Sequence, residues 1–119
     1  MADFSTTELY KRAQELTRLV YRLEDRFPEA EMPVLFLRLR EAAVDLGAAV
    51  ALGFGRDGGE PAGRLSEAAA REVRGRVAVL RHFVLTSAAQ FHLDERHVEE
   101  FDRTADEIQR LLGGPAGGP

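Results

Sequence analysis

Four stretches of this 119-residue chain repeat apolar residues at alternating steps of four and three, and that spacing restricts the fold more than any other feature. In the first stretch the positions are Leu9, Ala13, Leu16, Val20, Leu23 and Phe27. In the second they are Leu35, Leu39, Ala42, Leu46, Ala49 and Gly53. The third carries Val73, Val77, Leu80, Val84 and Ser87, extended backwards by Ala69 and Leu65, and the fourth Val98, Phe101, Ala105, Ile108 and Leu112. A 3.5-residue repeat lines one side of an α-helix with a seam that leaves water only by meeting other helices at shallow angles. No stretch alternates with the period of two that a half-buried strand needs. The pattern therefore predicts an all-α chain, an antiparallel up-down-up-down four-helix bundle.

Punctuation places the boundaries. Helices are expected at about 5–27, 31–53, 60–90 and 94–112, followed by a disordered Gly/Pro tail over 113–119. Ser5 with Glu8 reads as a capping box and Phe4 as a staple onto Leu9. Phe27-Pro28 ends the first helix, because a residue before proline avoids the α region. Pro33 is tolerable in the first turn of the second helix, and Gly53-Phe54-Gly55-Arg56-Asp57-Gly58-Gly59 reads as its stop. The third helix opens weakly near Glu60-Pro61 and Gly63. Its interior Gly75 costs about 1 kcal/mol against alanine. Asp94 is the cap of the fourth helix, Leu93 a staple onto Val98, and Gly113-Gly114 its C-terminal stop.

Composition narrows the chemistry. The chain has no cysteine, so it has neither a disulfide framework nor thiolate metal sites. No run approaches the roughly 20 apolar residues of a membrane span, and the polar start Met1-Ala2-Asp3-Phe4 is unlike a signal peptide. A cytoplasmic protein is the expectation. His82, His92 and His97 lack ligand spacing with any carboxylate, and Ser66 and Ser87 lack the framing of a nucleophile. The glycines around Gly53, Gly55 and Gly58 form no phosphate loop, since no strand precedes them and no Lys-Ser/Thr closes them. The expectation is a non-enzyme with no cofactor and no metal.

Charge is the remaining clue. The net charge is −4, and all but one of the 16 basic residues are arginine. Glu8 with Arg12, Glu67 with Arg71, Glu72 with Arg76, Glu99 with Arg103 and Asp106 with Arg110 stand at i, i+4 and support their own helices. Two stripes do not pair this way. Arg18, Arg22 and Arg26 repeat at successive steps of four, and Arg64, Arg71, Arg74 and Arg81 at seven, three and seven. The fourth helix, Asp94 to Leu112, holds seven acids against three arginines. Two readings stay open. The stripes complement the acidic helix within the bundle or between subunits, or they face phosphates.

Several short segments resemble a known family. Leu9-Tyr10-Lys11-Arg12-Ala13, Val20-Tyr21-Arg22-Leu23 and Arg26-Phe27-Pro28-Glu29-Ala30-Glu31 are similar to the opening of the bacterial four-helix-bundle proteins described as 23S rRNA-intervening-sequence proteins. Leu39-Arg40-Glu41-Ala42-Ala43-Val44 and Gly53-Phe54-Gly55-Arg56 continue the likeness. Leu80-Arg81-His82 and Asp106-Glu107-Ile108-Gln109-Arg110-Leu111-Leu112-Gly113-Gly114 look more like Avd, the accessory variability determinant of diversity-generating retroelements, in the same superfamily. The chain departs from the intervening-sequence pattern at Glu41, Asp45, Ala49 and Leu52. The resemblance implies a ring-shaped homopentamer. For the Avd branch it implies binding of a reverse transcriptase and its RNA or DNA template. Under that reading Arg71, Arg74 and Arg81 are the first candidates for nucleic-acid contact, and Arg18, Arg22 and Arg26 the second. The alternative is a structural or protein-interaction module with no nucleic-acid role.

Overall fold

A computed structural model describes residues 4–57, 64–91 and 93–113. Among them all regular structure is helical and there is no strand. Four α-helices form the body: α1 (Glu8–Arg22), α2 (Leu37–Asp57), α3 (Glu67–Phe91) and α4 (Glu95–Leu111). Helix α1 lies between α2 and α4, α2 packs on α3, and α3 meets α4 in the least extensive of these contacts.

The seams form the core. Leu9, Ala13, Leu16, Val20, Leu23 and Phe27 are all buried, as are Val73, Val77, Leu80, Val84 and Ser87. Leu39, Ala42 and Leu46 are buried on α2, where Ala43, Val50 and Phe54 join them, with Phe36 just before the helix; Leu35 and Ala49 are half-buried. The stripe on α2 is therefore broader than two positions per heptad, as expected for a helix flanked on two sides. Phe101, Ala105 and Ile108 bring in α4. Ser87 is enclosed without penalty because its hydroxyl donates to Phe83 O at 2.7 Å.

Most corrections concern helix ends. Thr7, not Ser5, caps α1: its Oγ1 accepts from Tyr10 N at 3.2 Å. Phe4 packs edge-on against Tyr10, with ring centroids 4.9 Å apart. Helix α1 closes at Leu23, whose N–H reaches Val20 O, and a 3-10 turn (Glu24–Arg26) follows. That tightening brings Phe27 against Phe36 and Phe91 at centroid distances of 5.1 and 5.3 Å. Before α2 the chain makes a 3-10 turn (Glu29–Glu31) and a wider π turn (Met32–Phe36), with Pro33 at its start. Proline brings no N–H that would need a partner there.

Gly53 does not stop α2, which continues to Asp57. It lies inside the α2/α3 contact, where an added Cβ would stand 2.9 Å from Leu65 Cδ2 and 3.0 Å from Ala69 Cβ. Helix α3 begins at Glu67 after Ser66, whose Oγ accepts from Ala69 N at 3.2 Å. The expected opening at Glu60, Pro61 and Gly63, the glycines Gly58 and Gly59, and the tail from Gly114 lie outside the described residues. Asp94 caps α4 as expected, its Oδ1 accepting from Arg96 N at 2.9 Å. Gly113 ends the helix at φ +119, a left-handed conformation that side chains resist.

Candidate interaction surfaces

The arginine stripes meet different fates. Arg74 is half-buried and turned toward the end of α4, where its Nη2 donates to Leu112 O at 3.1 Å. A guanidinium there satisfies a carbonyl with no helical partner and faces the negative end of the helix dipole. Arg81 Nε stands 3.3 Å from Asp102 Oδ1 on α4, too poorly aligned for a hydrogen bond. Arg22 reaches Glu100 of α4 at 3.9 Å. Both pairs are substantially solvated, and each is worth about 0–1 kcal/mol.

Arg71 stays on the surface beside Glu67 at 3.8 Å. Arg18 and Arg26 are exposed, with no ion pair within 4 Å among the described residues. The 3-10 turn after Leu23 also takes Arg26 off the helical row of Arg18 and Arg22. Arg26 adds its charge to the surroundings of Asp94, whose carboxyl is held below its ordinary range. The Arg96 N–H bond is the largest cause, followed by the charges of His97, Arg96 and Arg26. The α1 and α3 stripes thus split: Arg22, Arg74 and Arg81 reach α4, while Arg18, Arg26 and Arg71 face solvent.

The expected helical pairs hold at Arg12 with Glu8, Arg71 with Glu67 and Arg76 with Glu72. Arg110 instead bonds Glu107, one position closer than the expected Asp106. The described residues give no ion pair between Glu99 and Arg103. No group of three His, Asp or Glu side chains suited to a metal ion occurs among the described residues. His82 is exposed beside Phe83, His97 is half-buried, and His92 lies outside the described residues.

A feature that the charge pattern did not reveal lies on the outside of α2 and α3. The large apolar side chains left exposed are Tyr21, Val34, Val44, Leu52, Val79 and Leu85. Two sit on α2, two on α3 and one just before α2; α4 has none. Between α2 and α3 a hollow of about 540 Å³ is lined by Ala48, Ala49, Leu52, Gly53, Ala68 and Ala69 together with Asp45, Ser66, Glu72 and Arg76. A smaller hollow of about 140 Å³, lined by Arg38, Glu41, Ala42, Val79 and Phe83, shares Asp45 and Arg76 with it. The sequence did hold the signal: Leu46–Gly55 and Phe83–Phe91 contain no charged residue, so neither helix has a fully polar outer face.

No helix among the described residues is long and apolar enough to cross a membrane. No protein-family model, no curated protein and no solved structure matches the chain.

Proposed function

We propose that this chain is a non-catalytic, Avd-like accessory protein. It is an antiparallel up-down-up-down bundle that assembles as a ring-shaped homopentamer in the cytoplasm and docks a reverse transcriptase with its RNA or DNA template. The antiparallel order is supported by opposed pairings. Arg74, early in α3, reaches Leu112 beyond the end of α4, whereas Arg81, further along α3, meets Asp102 nearer the start of α4. The observation that carries the reading is the set of large apolar side chains left exposed on α2 and α3, Val44, Leu52, Val79 and Leu85, since exposed apolar surface marks contact with another protein.

Template binding rests on Arg18 and Arg71, repeated around a ring so that several weak phosphate contacts act together. A second reading, an intervening-sequence-type interaction module without nucleic-acid binding, is favoured by the turn of Arg22, Arg74 and Arg81 toward α4.

A salt titration of single-stranded RNA binding separates the two. Each phosphate neutralised adds about −0.7 to the slope of log affinity against log salt. Under the first reading, replacing Arg18 and Arg71 together with alanine flattens that slope, while Arg81→Ala leaves it nearly unchanged. Salt-indifferent binding, or none, removes the template role and leaves the second reading. If an RNA-free co-purification fails to retain a retroelement reverse transcriptase encoded beside the gene, the accessory assignment goes too.

A further inference from the structure

Helix α4 is held to the bundle differently from the other three. Each of α1, α2 and α3 buries four apolar side chains larger than alanine. Over its 17 residues α4 buries two, Phe101 and Ile108, with only Thr104 and Ala105 enclosed between them. Apolar burial is the main force that holds one element to another, and it scales with the area removed from water. The hold on α4 is therefore the weakest of the four.

The same contact carries polar atoms that lose water without gaining a partner. Among the described residues four buried side-chain nitrogen or oxygen atoms make no hydrogen bond, and three of them lie at α4. His97 Nδ1 and Asp102 Oδ1 belong to the helix itself, and the third is Nε of Arg74, whose Nη2 caps Leu112 O. Docking strips these atoms of water and undocking returns it. The ion pairs that tie α4 across the bundle, Arg22 with Glu100 at 3.9 Å and Arg81 with Asp102 at 3.3 Å, are solvated and offset little of that cost.

Little keeps α4 helical once it is free. A helix of this length is marginal in water without a neighbour, and like charges stand four apart at Glu95 with Glu99 and at Asp102 with Asp106. Among the described residues α4 also follows every other element, so it leaves without displacing any of them. We propose that α4 is a detachable strap. It undocks and unwinds as a unit while α1, α2 and α3 stay packed, and so uncovers the sides of α1 and α3 against which it lies. The inference needs neither ring nor reverse transcriptase nor template, and it stands or falls apart from the accessory reading.

Native-state amide hydrogen exchange of the whole chain tests it, under conditions where reclosing outpaces exchange. After correction for intrinsic rates, the amides of α4 are expected to exchange at least roughly ten-fold faster than the slowest amides of α2 and α3. Two variants then separate a strap from unfolding of the whole bundle. Val50→Ala truncates a fully enclosed side chain on α2, whereas α4 lies mainly against α1 and α3. It should speed the slowest exchange of α2 and α3 by about ten-fold and leave α4 unchanged, because Val50 stays packed when only α4 is free. Ile108→Val weakens the strap itself. It should speed α4, α2 and α3 by one common factor, because complete unfolding also frees α4.

Amides of α4 as slow as the slowest of α2 and α3 overturn the proposal. So does a Val50→Ala chain in which α4 speeds up as much as α2, since that is one cooperative unit. Fast exchange confined to the first and last turns of α4, with Phe101 to Ile108 slow, is fraying and overturns it as well. Far-UV circular dichroism checks that Val50→Ala is folded. The comparison of helices in the unaltered chain, and the conservative Ile108→Val, hold without it.

Discussion

Replacing Gly53 with alanine sets two known effects against each other at a site where the structure decides which wins. In an ordinary helix interior the change stabilises by about 1 kcal/mol, because glycine has more backbone freedom to lose. At Gly53 the new methyl would meet Leu65 Cδ2 at 2.9 Å and Ala69 Cβ at 3.0 Å. The leucine tip can rotate away. Ala69 Cβ cannot, because it is fixed to the α3 backbone. Optimal carbon–carbon separation is about 3.5–4.0 Å, so the two helices must part by at least roughly half an ångström. Overpacking of this kind costs about 1–3 kcal/mol, leaving a net loss of about 1 kcal/mol. Gly75 is the internal control: an added Cβ there meets nothing within 4 Å, and the full gain of about 1 kcal/mol should appear. At roughly 2.1 cal/mol/K per residue, unfolding entropy is about 0.25 kcal/mol/K for a chain of this length, so 1 kcal/mol shifts Tm by about 4 °C. Thermal melts at one chain concentration should therefore place Gly53→Ala about 4 °C below the unaltered protein and Gly75→Ala about 4 °C above it. A Gly53→Ala melt at or above the unaltered one, or equal losses at both glycines, would refute the close-approach argument.

Three further outcomes follow from contacts already described. Leu46→Ala empties a fully enclosed core position and should cost about 2–5 kcal/mol by urea titration, whereas Leu52→Ala on the outer face should cost well under 1 kcal/mol in the dissociated chain; similar losses would contradict the assignment of inner and outer faces. Arg74→Met keeps the stem but loses the charged donor to Leu112 O. Removing the buried Nε, which has no hydrogen-bond partner, offsets part of that loss, so about 1 kcal/mol is expected, together with faster amide exchange in the last turn of α4. Unchanged exchange there would rule out the capping role. The lowered pKa of Asp94 fixes a sign. Its contribution is present above the ordinary value of 3.8 and is lost as pH falls through the lowered one, so the deficit of Asp94→Ala at neutral pH should shrink in acid; a constant deficit would mean that the charged cap contributes nothing.

The seams were legible because a helix buries residues by angle, and angle follows from spacing alone. That is why most inward-facing residues of α1 and α3 stand out in the spacing, although Leu19 and Ala70 are buried outside it and Leu65 and Ala69 within it are only half-buried. The ends were less legible, since competing local signals are settled by packing. Ser5 and Thr7 are both good caps, and the bond from Tyr10 N goes to Thr7. Gly53 looks like a stop because glycine is costly in a helix. That cost is outweighed when Phe54 is buried beyond it and Leu65 and Ala69 pack against the bare Cα.

The arginines show a deeper limit. Spacing places Arg71, Arg74 and Arg81 on related faces of one helix, with Arg64 exposed ahead of its start, yet it says nothing of what stands opposite. Arg74 and Arg81 sit on the flank of α3 turned to α4, where a free carbonyl and Asp102 face them. Arg71 lies further round and, among the described residues, pairs with Glu67 of its own helix. Periodic charge is therefore weak evidence for a ligand in a bundle with an acidic member, because the neighbouring helix competes for it first. Apolar residues on an outer face have no such internal competitor. Among the described residues Leu52, Val79, Tyr21 and Val44 stay exposed, which is why the outer apolar side chains carry more of the functional reading than the arginine stripes do.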